Sequence, residues 1–290
     1  MFKQAVFSDE VSQDLERAIA VCKQFGLQGI ELRSVWGSKA PQDIPPKDVG
    51  RIKKMLGDAG LEVCSIASPF FKCDIDSPAE IAKHHDILRK CGELAHAFDI
   101  DLVRGFTFWR KGTYQKARIL DLFQPVLKIL DECDILLGIE NEASTFIGTG
   151  SRLADFLEDL DSDRVGAIWD PCNALYDNDD PEVPYPDGYE AIKPRIAHVH
   201  IKDSKPNAKG EQECCAVGES DIDYVGQYRA LFEDEYDGWT SLETHWRIVA
   251  LSKEQVDKPG GADYSSGAEQ ASIICLGNIQ KIIEQVRPKE

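Results

Sequence analysis

The chain has 290 residues, 42% of them hydrophobic, and carries a formal net charge of −18. A surface this acidic repels phosphate backbones and anionic bilayers, so nucleic-acid and membrane-surface binding are excluded as leading functions. No run of about 18 apolar residues occurs, and the start, MFKQAVFSDE, lacks the pattern of a secretory leader.

In chain order, short β-like runs alternate with helical periods. KQAVFS (3–8) precedes a period with Leu15, Ile19, Cys22 and Phe25 on one face. QGIELR (28–33) precedes a helix over 46–59, opened by proline and closed by Gly60, and LEVCSIAS (61–68) precedes one over 78–98. DLVRGF (101–106) leads to a helix over 114–133, with Pro125 predicting a kink or break. ILLGIEN (135–141), RVGAIWD (164–170), RIAHVHIK (195–202) and WTSLETH (239–245) complete the strands. Helices over 151–160, 187–193, 221–234 and 267–286 fill the gaps, and 174–187 and 204–220 read as loop insertions.

Eight strands, each followed by a helix, predict an α/β protein: a single-domain (β/α)₈ TIM barrel spanning 1–290. An open doubly wound sheet is the rival. Against it, the first strand runs into SDEVSQD with no glycine-rich turn, and the lone GTG at 148–150 lacks the rest of a dinucleotide fingerprint. Nine cysteines without a C-x-x-C pair, several in apolar runs, predict buried reduced thiols and a cytoplasmic protein.

In a parallel barrel the loops that carry chemistry follow the C-terminal strand ends, and residues two apart on a strand share a direction. GIENE ends the fifth strand with Glu140 and Glu142, and AIWDPCN ends the sixth with Asp170. HVHIKD ends the seventh with His198 and His200, and SLETHW ends the eighth with Glu243 and His245. Any one such residue reads most simply as a structural partner of an amide or arginine. Four successive strands delivering such groups behind apolar runs point instead to a neutralising dication, since buried like charges cost several kcal/mol apiece unless compensated. Carboxylates with an imidazole form a hard donor set, favouring Mn²⁺, then Mg²⁺ or Co²⁺, with catalytic Zn²⁺ an alternative. Cys172 reads as packing. Lys202 reads equally as a proton donor, a substrate hydroxyl contact or a salt-bridge partner. His245 joins it as a substrate-contact candidate, as does His198, which could also orient a ligand. Arg104 and Glu31 are weaker candidates. Phe70, Phe106, Trp109 and Trp246 either wall the site or pack the loops.

The series GIELR, GIENE, WDPCN, HVHIKD, VGESDIDY and SLETHW, in that order, resembles the xylose isomerase-like barrel family of sugar isomerases and epimerases. That group also contains inosose dehydratase and the ketose 3-epimerases. The resemblance covers nearly the whole chain. It implies one divalent metal held by Glu140, Asp170, His200 and Glu243, with Glu140 and Glu243 also moving protons. It further implies abstraction of a proton beside a carbonyl through a metal-stabilised enediolate, on a small sugar or polyol. The family often places a substrate-contacting histidine three residues after the aspartate; here that position is Asn173. Ketose 3-epimerases carry arginine where this chain has Pro206, and Ser220 replaces a glycine in VGESD. The relative that cuts DNA at abasic sites needs more histidines than the six present. The leading expectation is a metal-dependent isomerase or epimerase; a keto-inositol dehydratase is the alternative, and a non-catalytic sugar- or metal-binding barrel the third reading. No nucleic-acid or membrane partner is expected, and self-association is left open.

Overall fold

The computed structural model describes residues 1–177, 179–210, 212–248, 265 and 267–288. Its elements are β1 (Lys3–Phe7), α1 (Leu15–Phe25), β2 (Gly29–Leu32), α2 (Pro46–Ala59), β3 (Glu62–Phe70), α3 (Pro78–Ala97), β4 (Leu102–Gly105) and α4 (Lys116–Cys133). They continue with β5 (Leu136–Glu140), α5 (Gly150–Leu160), β6 (Val165–Trp169), α6 (Pro171–Tyr176), α7 (Tyr189–Ile192), β7 (Ile196–Ile201), β8 (Asp203–Pro206) and β9 (Gln212–Cys215). The last are α8 (Tyr224–Glu233), β10 (Trp239–Leu242) and α9 (Ala268–Val286). Eight strands close a barrel in the order β1, β10, β7, β6, β5, β4, β3, β2, while β8 and β9 form a separate antiparallel pair. The eight-stranded parallel barrel expected from the alternation is therefore the fold. Among the described residues, no helix is long and apolar enough to cross a membrane.

The chain divides into two compact units, Met1–Cys64 with Val199–Glu290, and Ser65–His198. In the first, β1 pairs in parallel with β2 and β10, Val6 opposing both Ile30 and Leu242. Both helices on its amino-terminal side end on glycines in the left-handed region, Gly26 (φ 64°) and Gly60 (φ 71°), as the sequence predicted for Gly60. The last helix, α9, packs on α1 and α8.

In the second unit β4, β5 and β6 run parallel, Leu137 opposing Val165 and Glu140 opposing Ile168. The glycine in LLGIE is a packing requirement: a Cβ on Gly138 would lie 2.6 Å from Ile168 Cγ1. Aromatic rings fill the space outside these strands. Phe71 stacks between Phe70 (4.0 Å) and Phe108 (4.2 Å), and Phe123 meets both Phe71 and Phe156 edge-on. Each such buried ring contributes about 1.5–3 kcal/mol. Phe70 is thus core.

Two local expectations need correction. Helix α4 is one element from Lys116 to Cys133 with Pro125 inside it, so the predicted break is absent; the missing N–H forfeits one backbone bond while buried Phe123, Val126 and Ile129 keep the helix seated. The segment 204–220 contains the β8–β9 ladder, in which Ser204 opposes Cys214 and Lys205 opposes Glu213. Its polar residues give no apolar alternation from which a strand could be read.

Candidate active site at the strand ends

In the second unit, Glu140 ends β5 and is 1% exposed. Arg104, from β4, donates to its Oε2 from Nη1 at 3.0 Å, and Asn173 donates from Nδ2 to Oε1 at 3.0 Å. Arg104 is itself steadied by the carbonyls of Ser68 and Ala67. Asp170 follows β6 and caps α6, its Oδ1 accepting the Asn173 N–H at 3.0 Å. Asn141 locks the two strand ends together, accepting the Asp170 N–H (2.8 Å) and donating to the Asp170 carbonyl (2.9 Å). Asn173 also donates to the Asn141 carbonyl at 2.8 Å. The Asp-Pro-Cys-Asn turn therefore orients Glu140 and Asp170 as one block, and Cys172 within it is buried.

Trp109 belongs to a neighbouring group. Its N–H donates to the Cys73 carbonyl, and Lys72 Nζ lies 5.6 Å from its ring and 4.3 Å from that of Phe106. Lys72 also pairs with Glu142 at 2.9 Å, which occupies the second acid of GIENE in an ion pair. His198 is fully buried on β7.

In the first unit, His200 lies on β7 with Nε2 at 3.1 Å from Glu31 Oε2 and 3.3 Å from Oε1. A carboxylate at that distance fixes the proton on Nε2 and sets the tautomer of the ring. Glu243 follows β10 and is 2% exposed. Arg33 donates to its Oε1 at 2.9 Å and Lys202 to its Oε2 at 3.1 Å, while His245 Nε2 stands 3.4 Å from Oε1. Burial works to raise the Glu243 carboxyl, but Lys202, His245 and His200 outweigh it and hold the group well below the usual carboxylate range. Lys202 is thus in the salt bridge that was one of its alternatives.

The sequence did not single out Asp9, Glu10, Arg33 or Arg247. All four are buried. Arg33 bonds Asp9 (3.0 Å) and Glu10 (2.7 Å) as well as Glu243, and Arg247 bonds the second oxygen of Glu10 at 2.8 Å. Burial tends to raise the Glu10 carboxyl, and Arg247 and Arg33 bring it below the ordinary value. Glu10, Glu243 and His245 have ligand atoms within 4.8 Å of one another. Both Glu10 oxygens accept from guanidinium groups, which makes the trio part of the ion network around Arg33.

Glu140 and Asp170 in the one unit, and His200 and Glu243 in the other, are all buried side chains of metal-ligating type at strand ends. Three carboxylates and one imidazole, with the imidazole tautomer set by Glu31, make a donor set that could hold a metal. The donors present fit such an ion.

No curated protein matches this chain. Solved structures share its fold at low identity. D-allulose 3-epimerase from Methylomonas sp., in complex with D-allulose, is 18% identical with a TM-score of 0.70, over 97% of this chain and 96% of that one. D-psicose 3-epimerase from Clostridium cellulolyticum H10, with D-tagatose, is 13% identical with a TM-score of 0.71, over 97% and 99%. A xylose isomerase domain protein from Planctomyces limnophilus is 12% identical with a TM-score of 0.69, over 98% of both chains. The model of the xylose isomerase-like TIM barrel family matches residues 19–269, and the chain belongs to that family.

Proposed function

We propose that this protein is a divalent-metal-dependent isomerase or epimerase of a small sugar or polyol, with Glu140, Asp170, His200 and Glu243 holding one ion, Mn²⁺ first among the candidates. The observation carrying this reading is that three buried carboxylates and one buried imidazole stand at four strand ends of a barrel of this family. The sugar 3-epimerases of the same fold favour a sugar over other small molecules.

Glu243 is charged at neutral pH but, being so strongly stabilised, is a weak proton acceptor. The acidity must therefore be raised on the substrate. A divalent ion held by Glu140, Asp170, His200 and Glu243 would supply that acidity as a Lewis acid. Glu243 takes the proton from the carbon beside the carbonyl, and Glu140, a carboxylate in its pair with Arg104, takes up a proton from solvent and delivers it either to the other face or at the neighbouring carbon. Arg104 and Asn173 fix the direction of Glu140 through one bond to each oxygen. Lys202 and His245, beside Glu243, contact substrate hydroxyls, and His198 and Trp109 are further substrate contacts.

The test is a panel of ketoses, aldoses and inososes with the purified protein and Mn²⁺, Mg²⁺, Co²⁺ or Zn²⁺, run in D₂O and read by NMR. Deuterium appearing at a carbon beside the carbonyl, only with metal, is the expected result. A rise in ultraviolet absorbance from a conjugated product would assign a dehydratase instead. Absence of exchange with every substrate and metal would remove the isomerase reading.

A further inference from the structure

Arg33 takes no direct part in the proton transfers outlined above, yet its side chain is as deeply buried as that of Glu243. Nε donates to Asp9 Oδ2 at 3.0 Å, Nη1 to Glu243 Oε1 at 2.9 Å and Nη2 to Glu10 Oε1 at 2.7 Å. The guanidinium plane lies over the Phe7 ring, with Cζ 4.7 Å from its centroid. Its anchors are themselves anchored. Asp9 Oδ2 also accepts from Ser34 Oγ at 2.7 Å, and Glu10 Oε2 accepts from Arg247 at 2.8 Å.

This differs from an ordinary buried ion pair in one respect. Two of the three carboxylates on Arg33 belong to the turn after β1, so the guanidinium cannot follow Glu243 if that side chain rotates. Glu243 Oε1 is consequently tied to a fixed point, and the direction of Oε2 is fixed with it. The cation on Oε2 is of the other kind: Lys202 offers a single ammonium at 3.1 Å. One oxygen is clamped by a rigid fork and the other is met by a point charge.

We infer that Arg33 is a positioning residue for Glu243: its guanidinium, clamped by Asp9 and Glu10, pins Oε1 so that Oε2 is presented to substrate and ion in one orientation. The inference rests on the proposed role of Glu243.

Two variants test it. Arg33→Lys keeps the charge but cannot span three carboxylates, so changes in it report geometry and not field. Glu10→Gln keeps the shape of the anchor and weakens its grip. For each, thermal unfolding, Mn²⁺ affinity by calorimetry, and kcat and KM on the substrate found above are compared with the unaltered protein. Arg33→Lys is expected to lose about 100-fold in kcat with KM little changed, the cost of a misaimed reacting group. Its Mn²⁺ affinity should fall about 10-fold, as when the support of a ligand is removed. Glu10→Gln should move both quantities the same way by less. Folded Arg33→Lys with a lowered unfolding temperature but unchanged kcat, KM and Mn²⁺ affinity would overturn the inference and leave Arg33 purely structural. Should Arg33→Lys fail to fold, Glu10→Gln decides by the same criteria. An unaltered protein that binds Mn²⁺ but turns over no sugar removes the proposed reaction, and the Mn²⁺ comparison then decides the role of Arg33. One that binds no Mn²⁺ sinks both.

Discussion

His200 Nε2 and Glu31 Oε2 are 3.1 Å apart, and both side chains are completely buried. A buried carboxylate facing one ring nitrogen decides which nitrogen carries the proton and how the ring is turned, so Glu31 sets the tautomer and orientation of His200 in its proposed role as a ligand. Phe7 packs edge-on against the same ring at 5.1 Å and limits its tilt. Glu31→Gln keeps the volume but removes the charge and admits the wrong tautomer. Mn²⁺ affinity, measured by calorimetry, should fall about 10–100-fold. Unchanged affinity would mean that His200 is oriented by other contacts or is not a ligand.

Glu140→Gln and Glu243→Gln should each abolish turnover, with loss of at least about 100-fold for a group that moves the proton. Each amide faces a cation that the carboxylate had neutralised: Arg104 at position 140, and Arg33 with Lys202 at position 243. Breaking a buried pair costs about 3 kcal/mol or more. That is a fraction of the ~5–15 kcal/mol typical of a folded protein, so both variants should remain folded with lower unfolding temperatures. Circular dichroism melts and deuterium uptake by NMR check the two halves of the statement. Near-normal exchange in either variant would take that glutamate out of the chemistry.

The barrel and four of its strand ends were legible in the sequence because both rest on short-range periodicity. Each strand is a compact apolar run, and Glu140, Asp170, His200 and Glu243 each stand where such a run stops. The ion network behind Glu243 was not legible. Arg33, Glu10 and Arg247 come from three distant segments, and a charged residue read alone defaults to a solvated surface. The signal that could have found them was present: SDE follows β1 and ELR ends β2 in the same position relative to their strands as the acids that were recognised. Trp109 and Glu142 lie just past strand ends, and their shared neighbour Lys72, a ring contact of the first and an ion-pair partner of the second, was not legible from that position.

Metal addition should stabilise the protein if the four ligands act together. A ligand at about 100 times its Kd adds roughly 2.7 kcal/mol, which in a chain of this size raises the unfolding temperature by about 5 °C. Asp170→Asn is the informative control. An asparagine oxygen can still accept the Asn173 N–H and cap α6, so the local turn survives while the anionic ligand is lost. The variant should unfold near the unaltered metal-free protein and gain little from Mn²⁺. An equal Mn²⁺ shift in both would show that the ion binds elsewhere.

A pH effect on stability is expected from His84, away from the site. Its Nδ1 accepts the N–H of Phe71 at 2.8 Å, and Phe71 has φ of 61°, a conformation that a non-glycine residue holds only with support. Burial, with a smaller contribution from Lys83, lowers the imidazole to about 4. An unfolded histidine titrates near ~6.5. The folded value is the lower one, so between these two values the unfolded chain binds the proton that the folded chain refuses. The contribution is therefore complete above the unfolded value and is lost progressively as pH falls from about 6.5 toward 4. His84→Asn supplies a non-titrating oxygen near the position of Nδ1 and should flatten that part of the profile. Unfolding temperatures of both proteins measured from pH 7.5 to 5 check it: the unaltered chain should lose more across the interval. Parallel curves would mean that His84 does not report the proton, and that Phe71 keeps its backbone bond by another acceptor.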